Sequence, residues 1–554
     1  MNGFLDYDEV VASGEIAYRA NANFVRLEGK KWRADTIHYG DLSGWPGDWE
    51  GRAILALTLL SQSTHRKAAF LDEIMEKLPS MLNESNYFGN PIDPDRIDEQ
   101  QVSGNSWFLR AMCEYYEWKK DDFSLKIIKD IVQHLILPCK GRYKEYPLIS
   151  SVRQRTGDMA GTLFDGVDGS WKLSSDTGCA FMMVDGASHA YAILRDPKLK
   201  EVLDEMIGKF LTADLLKDEF QTHATLSATR GIIRLYQTDG EEKYLDSAVR
   251  IYGLYRDFGM TENYANYNWF GRPDTWTEPC GIIDSFIVAM NLWDITGKTE
   301  YAADANNILT NALGHAQRPN GGFGCDECSG VRDVFIHSHG DAAQDAYWCC
   351  SMRGGEGLSR TISFLMYRKE NVLSFPLYYS AEIAFVLDGK NIEISETDRR
   401  ISEDIITFRF GKIDHDGELK LRFFVPDGID TEKIVVELNG SQTDFIIEAG
   451  FVEFSLRPVS GDDIILKLPA VFQKIPVRTS GAYSGYFTFR HGGSILGVMT
   501  ERELSSDEVL DGLAHAGRGK YVNERNGIVL EPINDLVTMS TDEVRKSRRQ
   551  ILFL

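Results

Sequence analysis

The sequence lacks any uninterrupted run of about 18 apolar residues, the length that a transmembrane helix needs, so no membrane span is predicted. It is also poor in positive charge: 60 Lys and Arg residues stand against 83 Asp and Glu residues, and the formal net charge is −23. A surplus of basic residues is what attracts the phosphates of nucleic acids and of anionic lipids. We therefore expect neither a nucleic acid nor a membrane as a partner.

A secretion signal is also missing from the first ten residues, which include three acidic side chains and no basic segment followed by an apolar one. In such a chain, the eight cysteines are expected to be free thiols or metal ligands rather than a disulfide framework. The expected location is therefore cytoplasmic. The 554 residues allow two to four domains, at roughly 100–200 residues for each domain.

Helical spacing of apolar residues extends from about residue 48 to residue 368. A unit recurs in this region: an apolar helix, a short polar turn and a second amphipathic helix, most clearly at 235–245 and 292–302. Gly240 and Gly297 occupy the turns, where glycine readily adopts the left-handed conformation that ends a helix. Several such hairpins at uneven spacing predict an (α/α)6 barrel, because a helical solenoid, the alternative, would have a constant period.

Beyond about residue 369 the apolar residues alternate as they do in β-strands, and Asp-Gly turns separate the segments. The predicted fold class is multidomain α + β. An (α/α)6 barrel is expected over residues 1–368 and a β-sandwich over 369–475. The last segment, 476–554, is expected to form either a second small β module or a wrap back onto the barrel.

The adjacent cysteines Cys349 and Cys350 are the strongest local signal of chemistry. Two neighbouring side chains can bind one ion only where the backbone bends, and we expect such a bend where a turn enters the following helix. The alternative interpretation is a pair of buried apolar residues, because cysteine is among the most buried residue types. Further thiols and a carboxylate in the same region favour a tetrahedral zinc site.

Two sets of zinc ligands are compatible with the sequence. The first combines the adjacent cysteines with Cys325 and Cys328, and would be a closed structural site with four thiolates. The second combines them with Glu278 and Cys280. Spacing slightly favours the first set, because Cys-x-x-Cys is the commoner half-site, and the residues alone leave both sets open.

A wider combination of residues points to a known family. It consists of Thr-Glu-Pro-Cys at 277–280, Glu262 sixteen positions before Glu278, and the later Cys-Cys pair. This combination resembles the β-L-arabinofuranosidase family, glycoside hydrolase family 127, and its close relatives. Segments 375–380 and 491–497 also look like recurring β segments of that family. The resemblance covers most of the chain and implies an (α/α)6-barrel catalytic domain followed by C-terminal β-sandwich modules.

The resemblance also implies roles for individual residues. Glu278, Cys280, Cys349 and Cys350 would bind Zn²⁺, Cys349 would also be the nucleophile, and Glu262 would be the general acid/base. A thiol becomes a strong nucleophile when it is deprotonated, and metal coordination keeps it deprotonated at neutral pH. Three thiolates and one carboxylate nevertheless form a closed ligand set, which is more typical of structural zinc than of catalytic zinc.

Three further residues would contact the sugar. His223 matches a substrate-binding histidine of the family, and Asn105 stands where the family has another histidine. Asp48 matches the sugar pocket more loosely, and the alternative for it is the N-cap of the following helix. His337 and His339 are close to Cys349 in sequence and compete as metal ligands, although a place in the pocket or on the surface is favoured for them.

We interpret the chain as a retaining glycoside hydrolase that acts on a furanosidic sugar, with L-arabinofuranose as the default. Its partner would be an oligosaccharide or another glycoside, and a homodimer is one assembly compatible with this interpretation. Two alternatives stand beside it. One is an (α/α)6 enzyme, such as a uronyl hydrolase or an epimerase, that uses paired acids and needs no zinc. The other is a carbohydrate-binding protein in which zinc only supports the fold.

Overall fold

The computed structural model describes residues 3–37, 44–153, 166–328, 335–336, 342, 344–478, 483–537 and 548–554. Twelve long helices within these ranges build the N-terminal half. In chain order, α1 to α12 are Gly14–Leu27, Asp48–Ser63, Leu71–Met81, Glu99–Lys119, Asp122–Ile131, Met183–Leu194, Pro197–Phe210, Thr222–Asp239, Glu242–Phe258, Pro279–Thr296, Thr299–Asn307 and Cys350–Ser363. None of the described helices combines the length and the apolar character that a transmembrane span requires.

The even-numbered helices form a closed inner ring. Each contacts the next in the order α2, α4, α6, α8, α10 and α12, and α12 returns to α2. The odd-numbered helices form the outer layer: α3 to α11 pack on the helix that precedes them, and α1 packs on α12. The inner helices are buried on nearly all sides, whereas outer helices such as α5 and α7 bury one face. This arrangement is an (α/α)6 barrel, which confirms the sequence prediction.

Local sequence explains how the ring closes. Gly240 and Gly297 end α8 and α10 with φ of 72° and 67°, as the hairpin pattern predicts. Inner helices approach closely at other glycines. A Cβ on Gly51 of α2 would lie 2.3 Å from the backbone nitrogen of Phe108 in α4. The ring packs tightly here because this position carries no side chain.

Two facing sheets form a β-sandwich. In spatial order, the first contains Gly3–Phe4, Tyr367–Lys369, Val372–Phe375, Leu419–Phe424, Phe451–Leu456 and Ile446–Glu448. The second contains Ser441–Gln442, Val435–Leu438, Asp463–Lys467, Ile405–Ile413, Lys390–Arg399, Ala381–Leu387 and Val10–Ala12. Phe408 of the second sheet packs against Phe375 and Phe423 of the first, with ring centroids 4.6 and 4.7 Å apart. Strands from the first twelve residues thus complete an edge of each sheet.

A third large sheet, the C-terminal sheet, follows the two sheets of the sandwich. In spatial order, its strands are Phe472–Pro476, Phe487–His491, Ser494–Thr500, Val529–Pro532, Lys520–Asn523 and Leu513–Gly517. The strand Arg548–Gln550 pairs with Ser494–Thr500 and with Phe335–Ile336, which precedes α12. A small sheet inside the barrel region contains Ile97–Asp98, Trp171–Lys172 and Val167–Asp168. The C-terminal sheet is therefore joined to the barrel by strand pairing.

Candidate metal centre and active site

Four potential metal ligands meet at the N-termini of two neighbouring inner helices. Glu278 is the N-cap of α10 and Cys280 lies in its first turn, while Cys349 is the N-cap of α12 and Cys350 its first residue. One ligand atom from each residue lies within 4.8 Å of all the others. We call this group the Glu–Cys cluster. Because α10 and α12 are neighbours in the ring, the closed barrel brings together two pairs of residues that are distant in sequence.

The backbone at the adjacent cysteines is bent, as two neighbouring ligands require. Cys349 has φ −149° and ψ −60°, outside the helical region, and the helix begins at Cys350. The Sγ atoms of Cys349 and Cys350 are 3.3 Å apart, and those of Cys280 and Cys350 are 3.7 Å apart. Tetrahedral zinc with Zn–S bonds of about 2.3 Å has sulfur–sulfur edges of about 3.8 Å. The spacing of the thiols therefore fits zinc.

The second ligand set is the one that the fold brings together. The Cys328 thiol lies 3.5 Å from the carbonyl oxygen of Asn266 and is not a member of the cluster. Cys325 is buried and is not a member of the cluster either, so the Cys-x-x-Cys pair does not complete a four-thiolate site. The spacing argument that favoured Cys-x-x-Cys was wrong, because the ring places α10 beside α12.

The chemistry of the donors also fits a divalent cation. Burial raises the pKa of the Cys280 and Cys350 thiols well above the usual value. For Cys349, a hydrogen bond with Cys280 lowers the pKa, but a hydrogen bond with Cys350 and burial outweigh it and the pKa is raised. Neighbouring thiolates in a buried site need a compensating charge, and a bound metal ion reverses this balance and deprotonates its thiol ligands.

Glu278 is held as an anion beside these thiols. Burial raises its pKa, but His223 and Arg52 more than offset that effect, so the pKa lies below its usual value. Its Oε1 lies 3.2 Å from Nδ1 of His223. Its Oε2 is buried and has no hydrogen-bond partner within the described part of the chain. A buried carboxylate oxygen without a partner costs free energy unless it binds a cation, so this atom also fits a metal ligand.

His223 lies behind Glu278 in the inner ring. It is buried, its Nε2 is 3.4 Å from Oδ2 of Asp284, and its ring stacks on Trp107 with centroids 5.6 Å apart. A second contact that orients a metal-binding carboxylate is a common device in metal sites. The structure thus gives His223 a role in positioning Glu278, and its contact with a sugar stays a prediction.

Asp48 is the first residue of α2, and Arg52 lies one turn further along the helix, beside the cluster. Gly47 occupies the N-cap, so the proposed N-cap role of Asp48 was wrong. The carboxylate of Asp48 instead accepts from Nε and Nη2 of Arg52, at 2.8 and 2.9 Å. Nη1 of Arg52 donates to Sγ of Cys280 at 3.4 Å. Sequence reasoning missed Arg52, although its spacing of four residues from Asp48 on a helix is a usable signal.

Asn105 is fully buried on α4 and hydrogen-bonds the loops that contain Pro46 and Phe88. Its amide nitrogen donates to the carbonyl oxygens of Pro46, Phe88 and Gln101, at 3.3, 3.0 and 3.0 Å. Its Oδ1 accepts from the backbone nitrogen of Phe88 at 3.0 Å. The predicted contact with a sugar would require one of these bonds to break. His337 and His339 lie outside the described residues.

Glu262 is buried in a turn between α9 and α10, which we call the Glu262 loop (residues 260–266). Its Oε2 accepts a hydrogen bond from the backbone nitrogen of Arg478 at 3.0 Å. The loop adjoins the cluster through Asn266, whose Oδ1 accepts from the backbone nitrogen of Glu278 at 3.1 Å. Sequence reasoning missed Asn266 and Arg478. Arg478 is 216 residues from Glu262 and gives no local signal of this contact.

The fold and the cluster define a class of protein: an (α/α)6 barrel with C-terminal β units, in which one glutamate and three cysteines of the inner helices form a group that could hold a metal ion. The chain matches no protein-family model and no curated protein sequence. Solved structures are similar over its whole length. One described as a glycoside hydrolase and one described as a GH127 β-arabinofuranosidase are each 11% identical, with TM-scores of 0.69, over 100% of this chain and 97% of theirs.

A third solved structure is a GH127 β-L-arabinofuranosidase from Geobacillus stearothermophilus T6. It is 11% identical, with a TM-score of 0.67, over 98% of this chain and 99% of that one. At this identity the likeness concerns the fold. It confirms the barrel with C-terminal β units that the resemblance to glycoside hydrolase family 127 implied.

Proposed function

We propose that the protein is a retaining glycoside hydrolase of the β-L-arabinofuranosidase type, with the Cys349 thiolate as nucleophile and Glu262 as general acid/base. The observation that carries the proposal is the Glu–Cys cluster, formed by residues 278, 280, 349 and 350 of a chain with the fold of GH127 structures. Its partner would be a glycoside. The cytoplasmic location and the homodimer stay predictions.

The four residues of the cluster would bind Zn²⁺. When bound, the ion would keep the thiols deprotonated at neutral pH, where burial alone keeps them protonated. Glu278 would enter the site already ionised, since His223 and Arg52 hold its pKa below the usual value. Arg52 would hydrogen-bond the Cys280 sulfur from outside the ligand set. The chain thus supplies four ligands, and the guanidinium of Arg52 offsets part of their negative charge.

Cys349 is the best-placed nucleophile of the cluster. Its residue is partly exposed, whereas Cys280 and Cys350 are buried, which favours Cys349 as the thiol that a substrate would meet. It also lies at the N-terminus of α12, where the partial positive charge of the helix favours a thiolate over a thiol. Cys350 also lies at this helix N-terminus, so exposure is the feature that distinguishes Cys349 from it.

The reaction would proceed in two displacements at the anomeric carbon. In the first, the Cys349 sulfur bonds to this carbon while the bond to the glycosidic oxygen breaks and Glu262 gives that oxygen its proton. In the second, the Glu262 carboxylate takes a proton from water, the water oxygen bonds to the anomeric carbon, and the thiolate leaves. Two inversions at one carbon retain the configuration of the sugar.

Hydrolysis of a panel of aryl furanosides and pyranosides by the reduced, zinc-loaded protein tests the proposal. We expect cleavage of the β-L-arabinofuranoside and its loss in Cys349→Ser. In Glu262→Gln we expect a large fall in kcat, because the second displacement lacks its general base. Cys139→Ser is the matched control, since this buried cysteine bonds the carbonyl of Leu135 and is outside the cluster. Cleavage of another sugar would keep the mechanism and correct the substrate.

The closed set of four donors also favours a second candidate, a carbohydrate-binding protein with structural zinc. In that case the protein would bind about one zinc per chain and hydrolyse no member of the panel. Glu262→Gln would then leave sugar binding and thermal stability close to those of the wild type. Turnover of any glycoside that depends on Cys349 would exclude this candidate.

A further inference from the structure

Two arginines of the C-terminal β unit contact the Glu262 loop, and Arg478 makes the contacts with Glu262 itself. Arg478 lies two residues beyond the strand Phe472–Pro476. Besides the bond from its backbone nitrogen to Glu262, its Nη2 donates to the carbonyl oxygens of Thr261 and Met260, at 2.7 and 3.4 Å. One residue of the C-terminal sheet therefore holds both the carboxylate of Glu262 and the backbone that precedes it.

A second arginine holds the other end of the turn. Tyr264 has φ +61°, a left-handed conformation that a residue other than glycine keeps only where its surroundings impose it. The guanidinium groups of Arg478 and Arg490 each lie 5.1 Å from the centroid of its ring. Arg490, on the strand Phe487–His491, also donates to the Tyr264 hydroxyl at 2.5 Å. The C-terminal β unit thus contacts the Glu262 loop both at Glu262 and at Tyr264.

We propose that Arg478 is a positioning residue for Glu262, so that the C-terminal sheet completes the active site of the barrel; the inference rests on the proposed function. A general acid must lie within hydrogen-bond reach of the oxygen that it protonates. A misplacement of about 1 Å can slow a reaction on the order of 100-fold. Arg478 fixes Glu262 through the loop backbone and through one carboxylate oxygen.

Substrates with different leaving groups can show whether Arg478 positions Glu262 or only supports the fold. A nitrophenolate departs without a proton, whereas an alkoxide needs one from the general acid. The ratio kcat/KM reports the first displacement, in which the glycosidic bond breaks. A displaced Glu262 therefore slows cleavage of an alkyl glycoside much more than cleavage of a nitrophenyl glycoside, while general damage to the fold slows both alike.

The test compares Arg478→Ala and Arg478→Lys on 4-nitrophenyl and methyl β-L-arabinofuranosides. Arg502→Ala is the matched control, because this arginine of the same β unit pairs with Glu508 at the surface. In Arg478→Ala we expect kcat/KM to fall at least tenfold more for the methyl glycoside than for the nitrophenyl glycoside. Zinc content should stay unchanged, and Arg478→Lys should recover part of the loss. An equal fall for both substrates would overturn the inference.

Hydrogen–deuterium exchange tests the same inference without a substrate. The backbone nitrogens of Thr261 and Tyr264 donate to the carbonyl oxygens of Ala265 and Thr261, at 3.0 and 3.1 Å. We expect their peptide to exchange faster in Arg478→Ala than in the wild type or in Arg502→Ala. If the wild type cleaves no glycoside, the proposed function fails while this measurement still decides whether Arg478 holds the loop. Unchanged exchange would show that it does not.

Discussion

Removal of the Arg52 guanidinium should weaken zinc binding. Arg52 is buried, contacts the Cys280 sulfur at 3.4 Å and lies over the Trp107 ring at 4.1 Å. Three thiolates, one carboxylate and Zn²⁺ carry a net charge of about −2, which a neighbouring guanidinium partly neutralises. At 3.4 Å and an effective dielectric constant of about 20, two unit charges attract each other by about 5 kcal/mol.

The measurable effect is smaller than this attraction, because burial of the guanidinium costs free energy and the Asp48 carboxylate already neutralises it. Loss of a side chain that orients a metal ligand typically weakens metal affinity by about 10–100-fold. We therefore expect Arg52→Met to raise the Kd for zinc by about this factor, or about 1.4–2.7 kcal/mol. Competition against a chromophoric chelator measures this Kd.

The control separates two causes, since Arg52→Met also leaves Asp48 without its partner. In the double variant Asp48→Asn/Arg52→Met, no carboxylate is left unpaired at this position. If zinc affinity stays low in the double variant, the guanidinium acts on the cluster directly. If the double variant recovers wild-type affinity, the unpaired Asp48 carboxylate is the cause of the weaker zinc binding. An unchanged Kd for zinc in Arg52→Met would refute the reasoning.

Three further predictions concern zinc, pH and packing. Removal of zinc by a chelator should abolish hydrolysis and lower the Tm in calorimetry, and added zinc should restore both. Burial raises the pKa of Asp304 to about 6 from 3.8. As the pH rises between these values, the Asp304 contribution to the free energy of unfolding should therefore fall by up to about 3 kcal/mol, because the unfolded chain loses its proton first. Urea titrations at both pH values should give this contribution as the difference between the wild type and Asp304→Asn. Gly231→Ala places a Cβ 2.5 Å from the Val184 carbonyl oxygen and should cost about 1–3 kcal/mol, whereas Gly208→Ala, in open space on α7, should stabilise by up to about 1 kcal/mol.

The sequence predicts the barrel well because its evidence is local and repeated. Each hairpin carries its own turn, and the left-handed residue that ends an inner helix is visible where it is glycine, as at Gly240 and Gly297. The helices α4 and α6 end in the same conformation at Lys120 and Arg195, where composition gives no signal. These hairpins are accordingly the weaker copies of the pattern.

The candidate site is less predictable, because its members meet through ring closure. Local spacing favoured the pair Cys325 and Cys328, and only the contact between α10 and α12 selects Glu278 and Cys280 instead. The resemblance to a known family implied the set that the fold brings together, whereas spacing alone favoured the other. The contact of Arg478 with Glu262 depends on how the C-terminal sheet packs on the barrel. The spacing of apolar residues predicts helices and strands, but it does not predict this packing.

Strands of two or three residues are also beyond a periodicity argument. Gly3–Phe4 and Val10–Ala12 are too short to show alternation, yet each pairs with a sandwich strand from the far side of the barrel sequence. The expected boundary near residue 369 rests on the change of period in the sequence and stays a prediction. It does not reveal that the first twelve residues belong to the sandwich in space.

The pairing of the two N-terminal strands with the sandwich sheets has a consequence for unfolding. A polypeptide cut near residue 369 would leave the sandwich with two bare edges, and unpaired edges promote aggregation. The barrel helices lie, in the chain, between the edge strands and the sheets that they complete. Neither half can then melt without releasing part of the other, so calorimetry should record one cooperative transition for both. The two halves share their stability as one folding unit.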